Sequence, residues 1–256
     1  PSLDYEGHLS FLQSHNHNFM RMWGWENALV PQPQVRQWPD HPLRYQRVGP
    51  GTDLSGRPKF DVTKLNQPYF ERLRSRVMTA QNRNIYVSVM LFQGVSVESK
   101  GLPMKTWLGH PFNVNNNVNG IDGDLNGDGE GTEVHTLKIP AITALQEAYV
   151  RKIIDTLNDL DNVLYEVSNE SHGDSEAWQY HMVTFIKEYE ATKPKQHPVG
   201  MTVEWPGSDN SELFDSPSDW VSPFAVHKEG GRTQTYDYRR PPPPADGKKV
   251  IIADTD

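Results

Sequence analysis

Three stretches of the chain repeat one pattern: an amphipathic run, an Asn-containing break, then a short β-branched or aromatic run. They read LDYEGHLSFLQSHNHNFMRMW, QPYFERLRSRVMTAQNRNIYVSVMLF and AITALQEAYVRKIIDTLNDLDNVLYEVSN. In the second, Phe70, Leu73, Val77 and Ala80 recur at the spacing that puts side chains on one helical face, and Ile142, Leu145, Tyr149 and Ile153 do the same in the third. Asn16, Asn82 and Asn158 or Asn162 stand near the expected helix ends, where Asn tolerates a left-handed backbone better than most residues. Each helix therefore stops and feeds a strand. The strands are short and largely apolar, as strands covered on both faces tend to be.

A fourth helix, SEAWQYHMVTFIKEYEATKPK, carries Trp178, Met182, Phe185 and Tyr189 on one face and precedes HPVGMTVEW. Six strands are expected, at 18–23, 84–92, 162–168, 198–204, 219–226 and 249–254. Alternation of helix and strand predicts a parallel sheet with helices packed outside it. The fold class is α/β, a (β/α)8 TIM-barrel-like domain spanning 1–256 and short of a terminal strand at each end. A doubly wound open sheet is the rival, but no glycine fingerprint follows any strand.

Composition narrows the function. Thirty-three Asp plus Glu against 25 Lys plus Arg give a net charge of -8, so no broad basic surface is available for nucleic acid. No run of about 18 apolar residues predicts a membrane span, and PSLDYEGHLS has none of the features of a signal peptide. Zero cysteines exclude disulfides, thiolate nucleophiles and Cys metal sites, leaving oxygen and imidazole groups for any chemistry. Seven Trp and ten Tyr exceed what a modest core requires, and suggest stacking on a ligand.

The third repeat ends in VLYEVSNESH, an apolar strand that finishes on Asn169, Glu170, Ser171 and His172. In parallel α/β sheets, chemistry gathers where strands end. Alternation puts Glu166, Ser168 and Glu170 on one face, with Glu170 aimed inward. The competing reading is a helix N-cap at Ser171 or Asn169, with Glu170 merely solvated.

Asn169-Glu170 at a strand end resembles the Asn-Glu signature of the clan A, cellulase-like glycoside hydrolases, and more narrowly an uncharacterised glycosidase branch of that group. The resemblance implies that Glu170 is the general acid/base and that Asn169 binds a sugar hydroxyl. NFMRMW is similar to the second strand of that fold, whose Arg, matching Arg21, supports the nucleophile. The nucleophilic Glu belongs at the end of strand seven, where this chain reads KKVIIADTD, so Asp254 or Asp256 becomes the partner carboxylate. A shorter Asp could widen the gap from about 5.5 Å towards the roughly 6.5–9.5 Å that admits a water and inverts the product. A frayed polar terminus is the competing reading of both. His110, His172 and His227 follow strands three, four and six of that fold as candidate substrate contacts, against the ordinary solvated loop histidine. Trp23, Trp25 and Trp205 are candidate sugar platforms, with core packing the rival for Trp23, whereas Trp178 belongs to a helical stripe and is core.

DGDLNGDGEGTE, from Asp122 to Glu133, matches D-x-[DN]-x-[DN]-G-x5-E at every specified position. Asp122, Asp124, Asn126 and the Asp128 carbonyl would supply oxygens, Glu130 would act through water, and Glu133 would close the site. Calcium, in a structural role, is the expected guest, in an insertion at about 108–138. The rival is a solvated Asp/Gly/Asn turn. Residues 38–61 and EGGRTQTYDYRRPPPPADGKK read as surface loops rich in Pro, Gly and charge.

The leading expectation is thus a glycoside hydrolase acting on a poly- or oligosaccharide, secreted or periplasmic. The alternative is a non-catalytic carbohydrate-binding barrel. A calcium-stabilised hydrolase of another type is weaker, since no Gly-x-Ser-x-Gly elbow appears.

Overall fold

The computed structural model describes residues 4–27, 42–101, 105–205, 210–223 and 247–252, and the backbone of 227–229 and 232–234. In chain order the elements are α1 (Tyr5–Ser14), β1 (Phe19–Trp23), β2 (Tyr45–Thr52), β3 (Pro58–Leu65), α2 (Gln67–Gln81), β4 (Tyr86–Gln93) and the short α3 (Gly94–Val97). After a long insertion come α4 (Pro140–Leu157), β5 (Val163–Asn169), α5 (Glu176–Glu190), β6 (Val199–Thr202), α6 (Ser211–Asp215), β7 (Trp220–Ser222), the pair β8 (His227–Glu229) and β9 (Arg232–Gln234), and β10 (Val250–Ile251).

Six strands pair in the order β1-β4-β5-β6-β7-β10, and every neighbouring pair is parallel. Order across the sheet follows order along the chain, so every crossover steps the same way. A doubly wound sheet reverses direction at its switch point. The sheet is therefore singly wound, a curled partial (β/α) barrel with β1 and β10 as its edges among the described residues. Its outer face is sealed by Phe70 and Val77 of α2, Tyr149 and Ile153 of α4, and Trp178 and Met182 of α5, packed on Val87, Val89, Val163 and Tyr165. Trp178 is fully buried, as its stripe predicts.

Local chemistry sets the helix ends. The Asp4 side chain accepts from Gly7 N–H at the start of α1, and prolines open α2 and α4, where their missing N–H is not needed. Asn16 is left-handed as expected (φ 58°), but Asn82 and Asn158 are right-handed, and Asn84 makes the turn into β4 instead (φ 56°). Asn158 and Asn162 work through their amides. Asn158 donates to Glu190 and the Lys195 carbonyl, and Asn162 to the Val77 and Ile85 carbonyls, tying helix ends to strand starts.

The described part of the stretch read as a loop at 38–61, from residue 42 on, is not simply a loop: β2 and β3 form an antiparallel pair. One side of it buries Tyr45, Phe60 and Val62 against Trp107, Phe112 and Val134 of the insertion, forming a second core. Phe60 N–H donates to the Asn116 carbonyl and Val118 N–H to the Phe60 carbonyl, both at 2.9 Å, so the pair and the insertion are stitched together. The insertion leaves the carboxyl end of β4, the side on which barrel sites are built. The strand expected at 219–226 stops at Ser222, and the last is only two residues long. Among the described residues no helix is long and apolar enough to cross a membrane.

Candidate functional site

Asn169 closes β5, and Glu170 follows with φ 50°, a left-handed backbone that costs a non-glycine residue roughly 1–2 kcal/mol. Alternation fails here. Instead of Glu166, Ser168 and Glu170 sharing a face, Arg21 of β1 joins Glu166 to Asn169: Nε donates to Glu166 Oε2 at 3.0 Å, and Nη2 to Glu166 Oε1 at 2.5 Å and Asn169 Oδ1 at 2.8 Å. Ser88 Oγ adds a contact of 3.3 Å to Glu166, which is fully buried. Because Asn169 Oδ1 accepts from Arg21, its amide is oriented, with the NH2 group turned the other way as a donor. Among the described residues Arg21 bonds Glu166 and Asn169, while the strand-seven carboxylates that the resemblance implied it supports lie outside them.

Ser168 turns to Ser171, their hydroxyls 2.6 Å apart, and Ser171 Oγ lies 3.1 Å from His135 Nδ1. Trp205 N–H donates to the Ser171 carbonyl at 2.9 Å. His172 Nε2 donates to the Thr132 carbonyl at 2.7 Å, so this candidate substrate contact also anchors the insertion. The helix-cap reading is not realised: α5 begins at Glu176, with Ser175 in the cap position.

Beneath this rim lies a buried ionic cluster. Glu26, just past β1, accepts from Gln93 N–H at 2.8 Å, Arg44 Nη1 at 3.3 Å and His110 Nε2 at 3.3 Å. Burial alone would raise the Glu26 carboxyl, but the charge of Arg44 and the hydrogen bond from His110 overcome it and hold it at about 2. His110 is buried, stacked on Trp107, and takes the Phe112 N–H on Nδ1, which fixes its proton on Nε2 towards Glu26. It sits inside the wall of the site, away from solvent. Burial lowers His110 from its ordinary value and brings His135 to about 3, so both are neutral.

Trp23 and Trp205 expose 48% and 37% of their surface, as a ligand platform must, and Trp25 is half-buried. Lys100 donates to the Trp205 carbonyl at 3.0 Å, linking the loops after β4 and β6. Asp254, Asp256 and the side chain of His227 lie outside the described residues.

In the acidic loop, Asp124 accepts the N–H groups of Gly127, Asp128 and Gly129, and Glu133 Oε1 accepts that of Asn126 at 3.2 Å. Asp122 accepts from Asp124 N–H, Asp128 from Glu130 N–H, and Glu130 from Ser99. Gly127 has φ 74°, the sharp turn required at the sixth position. Among the described residues no three acidic or imidazole side chains converge as metal ligands.

Sequence reasoning missed Glu26, His135 and Glu204, and placed Glu166 on the face of Glu170 without giving it a role. Glu166 had a signal, a carboxylate inside the apolar run VLYEV. Glu204, after β6, is almost fully buried and accepts from Ser175 Oγ at 3.0 Å. Burial, with the like charges of Glu212 and Glu176, raises its carboxyl to about 8.

A family model described as a domain of unknown function, DUF6298, matches residues 34–210. No curated protein matches the chain. Among solved structures, a glycoside hydrolase family 5 mannosidase mutant from Rhizomucor miehei superposes with a TM-score of 0.54 at 14% identity, covering 85% of this chain and 50% of that one. A second mutant of that mannosidase, in complex with mannosyl-fructose, gives 0.53 at 14% identity, covering 86% and 51%. A Bacteroides vulgatus protein provisionally classed as a glycoside hydrolase gives 0.52 at 13% identity, covering 87% and 36%. The chain thus spans a third to a half of these structures' length, and at such identities the likeness is one of fold.

Proposed function

The chain belongs to the DUF6298 family, and from that premise we propose that it is a glycoside hydrolase acting on a poly- or oligosaccharide. Glu170 is the general acid/base that protonates the leaving glycosidic oxygen, and Asn169 donates its amide N–H to a sugar hydroxyl. One observation carries the reading: at the carboxyl end of a parallel barrel strand, Arg21 holds Asn169 Oδ1, pre-orienting the amide donor beside Glu170. Pre-orientation of this kind lets a binding group act without reorganising. The barrel-like fold shared with glycoside hydrolases supports the same class.

Asp254 or Asp256 is the partner carboxylate in this proposal, and its distance from Glu170 decides retention or inversion. Exposed Trp23 and Trp205 supply indole faces for sugar CH groups, and half-buried Trp25 is a third candidate. Glu170→Gln, assayed with the wild type on a panel of glycans, tests the reading. Loss of about 10²–10⁴-fold in kcat/KM is expected. Unchanged turnover removes Glu170 from the chemistry, and no turnover by wild type across the panel favours a carbohydrate-binding barrel without catalysis.

The Asp122–Glu133 loop is proposed to take structural calcium. Its twelve-residue register, the turn at Gly127 and the return of Glu133 to Asn126 support this. A cation would have to draw the carboxylates away from the backbone amides they now accept from.

A further inference from the structure

We propose that His135, carried by the insertion, is a positioning residue for Glu170: it clamps Ser171 and so holds the left-handed turn that presents the Glu170 carboxyl at the rim of the sheet. The catalytic meaning of this rests on the reading of Glu170 as acid/base.

A non-glycine residue stays left-handed only where its surroundings over-determine it. After Glu170 they do. Ser171 is buried, its hydroxyl held between Ser168 and His135 and its carbonyl taken by Trp205 N–H. The His135 ring has little freedom of its own. It lies parallel to Trp178, with centroids 4.4 Å apart and planes 9° off, and stands edge-on to Phe92. Nδ1 shares a hydrogen bond with the Ser171 hydroxyl, and Nε2 lies 3.9 Å from Glu26 Oε1, beyond hydrogen-bond reach. Stacked on the Trp178 indole, edge-on to Phe92 and bonded to the Ser171 hydroxyl, the imidazole cannot rotate without breaking one of these contacts. A second strut comes from the same segment, the His172 bond to the Thr132 carbonyl. The two residues that follow Glu170 are therefore both tied to residues 132–135, more than 30 positions away in sequence.

The test follows the Glu170 carboxyl itself, by carbon NMR of glutamate-labelled protein, with the resonance assigned by its loss in Glu170→Gln. His135→Ala and Ser171→Ala are each expected to move the Glu170 titration midpoint by about 0.5 pH unit or more, since a released turn changes the carboxyl's surroundings. His135→Asn, which can place an amide where Nδ1 stood, is expected to bring the midpoint back. A histidine that only fills space would lower the melting temperature and leave the midpoint where it was, and that result in both alanine variants overturns the proposal. Ser171→Ala removes a single hydroxyl and decides the matter alone if His135→Ala does not fold. The glycosidase reading fails separately, by absence of glycan turnover in the wild type, while the titration still reports on the clamp.

Discussion

A Cβ at Gly94 would stand 1.8 Å from the carbonyl oxygen of Glu170, so the start of α3 and the end of β5 are packed backbone against backbone. No side-chain rotation relieves such a contact. The glycine is required by close approach. Gly94→Ala is expected to destabilise by about 1–3 kcal/mol, as overpacking does, and to displace Glu170 because the obstacle is that residue's own backbone. Thermal melting and glycan turnover would both fall. A variant with the wild-type melting temperature would show that the two segments do not meet.

Arg21 and Glu166 predict a second outcome. Glu166 is fully buried, and Arg21 supplies two of its hydrogen bonds. Arg21→Met strands that carboxylate, and losing one partner of a buried pair costs about 3–5 kcal/mol. Adding Glu166→Gln removes the stranded charge, so the double variant should recover part of the loss in a denaturant titration. Equal stability of the single and double variants would mean that the ion pair is not what Arg21 contributes. Asn169 loses its anchor in both, so neither should regain full sugar binding.

The parallel sheet was legible because its helices and strands carry strong, different periodicities, and Asn169-Glu170 stood out as a candidate because polar residues ending an apolar strand are unusual. What escaped notice has physical reasons. The β2–β3 pair hides behind its Pro and Gly, since only Tyr45, Phe60 and Val62 mark its buried side. The Glu26 cluster joins residues 84 apart in His110 and 18 apart in Arg44, which no local pattern reveals. Alternation along β5 misassigned Ser168 because the strand's last turn is set by contacts with Arg21 and Ser171, which lie outside the pleat. His110 was visible as a loop histidine after a strand, but its burial under Trp107 was not.

The acidic loop gives a third prediction. If calcium draws Asp122, Asp124, Asn126 and Glu133 together, binding only the folded chain, it stabilises by mass action, about 2.7 kcal/mol at a hundredfold excess over Kd. Melting the protein with added calcium and with chelator should give a higher midpoint in calcium, and Glu133→Gln should shrink the difference. Identical midpoints with and without chelator would remove the metal from the account.

Glu204 predicts how stability depends on pH. Burial is the chief cause that raises its carboxyl to about 8, Glu212 and Glu176 add to it, and the bond from Ser175 only partly offsets them. The ordinary value is 4.5. Between that pH and about 8 the unfolded chain releases this proton while the folded chain keeps it, so the folded state binds more protons and stability falls as pH rises. The contribution is fully present below the ordinary value, is lost progressively up to the folded one, and is constant beyond. Glu204→Gln keeps a neutral, hydrogen-bonding side chain and has no proton to lose. Its melting temperature relative to wild type should therefore rise steadily from mildly acid to mildly alkaline pH and then level off, and a difference that does not change with pH would show that Glu204 is not held protonated by the fold.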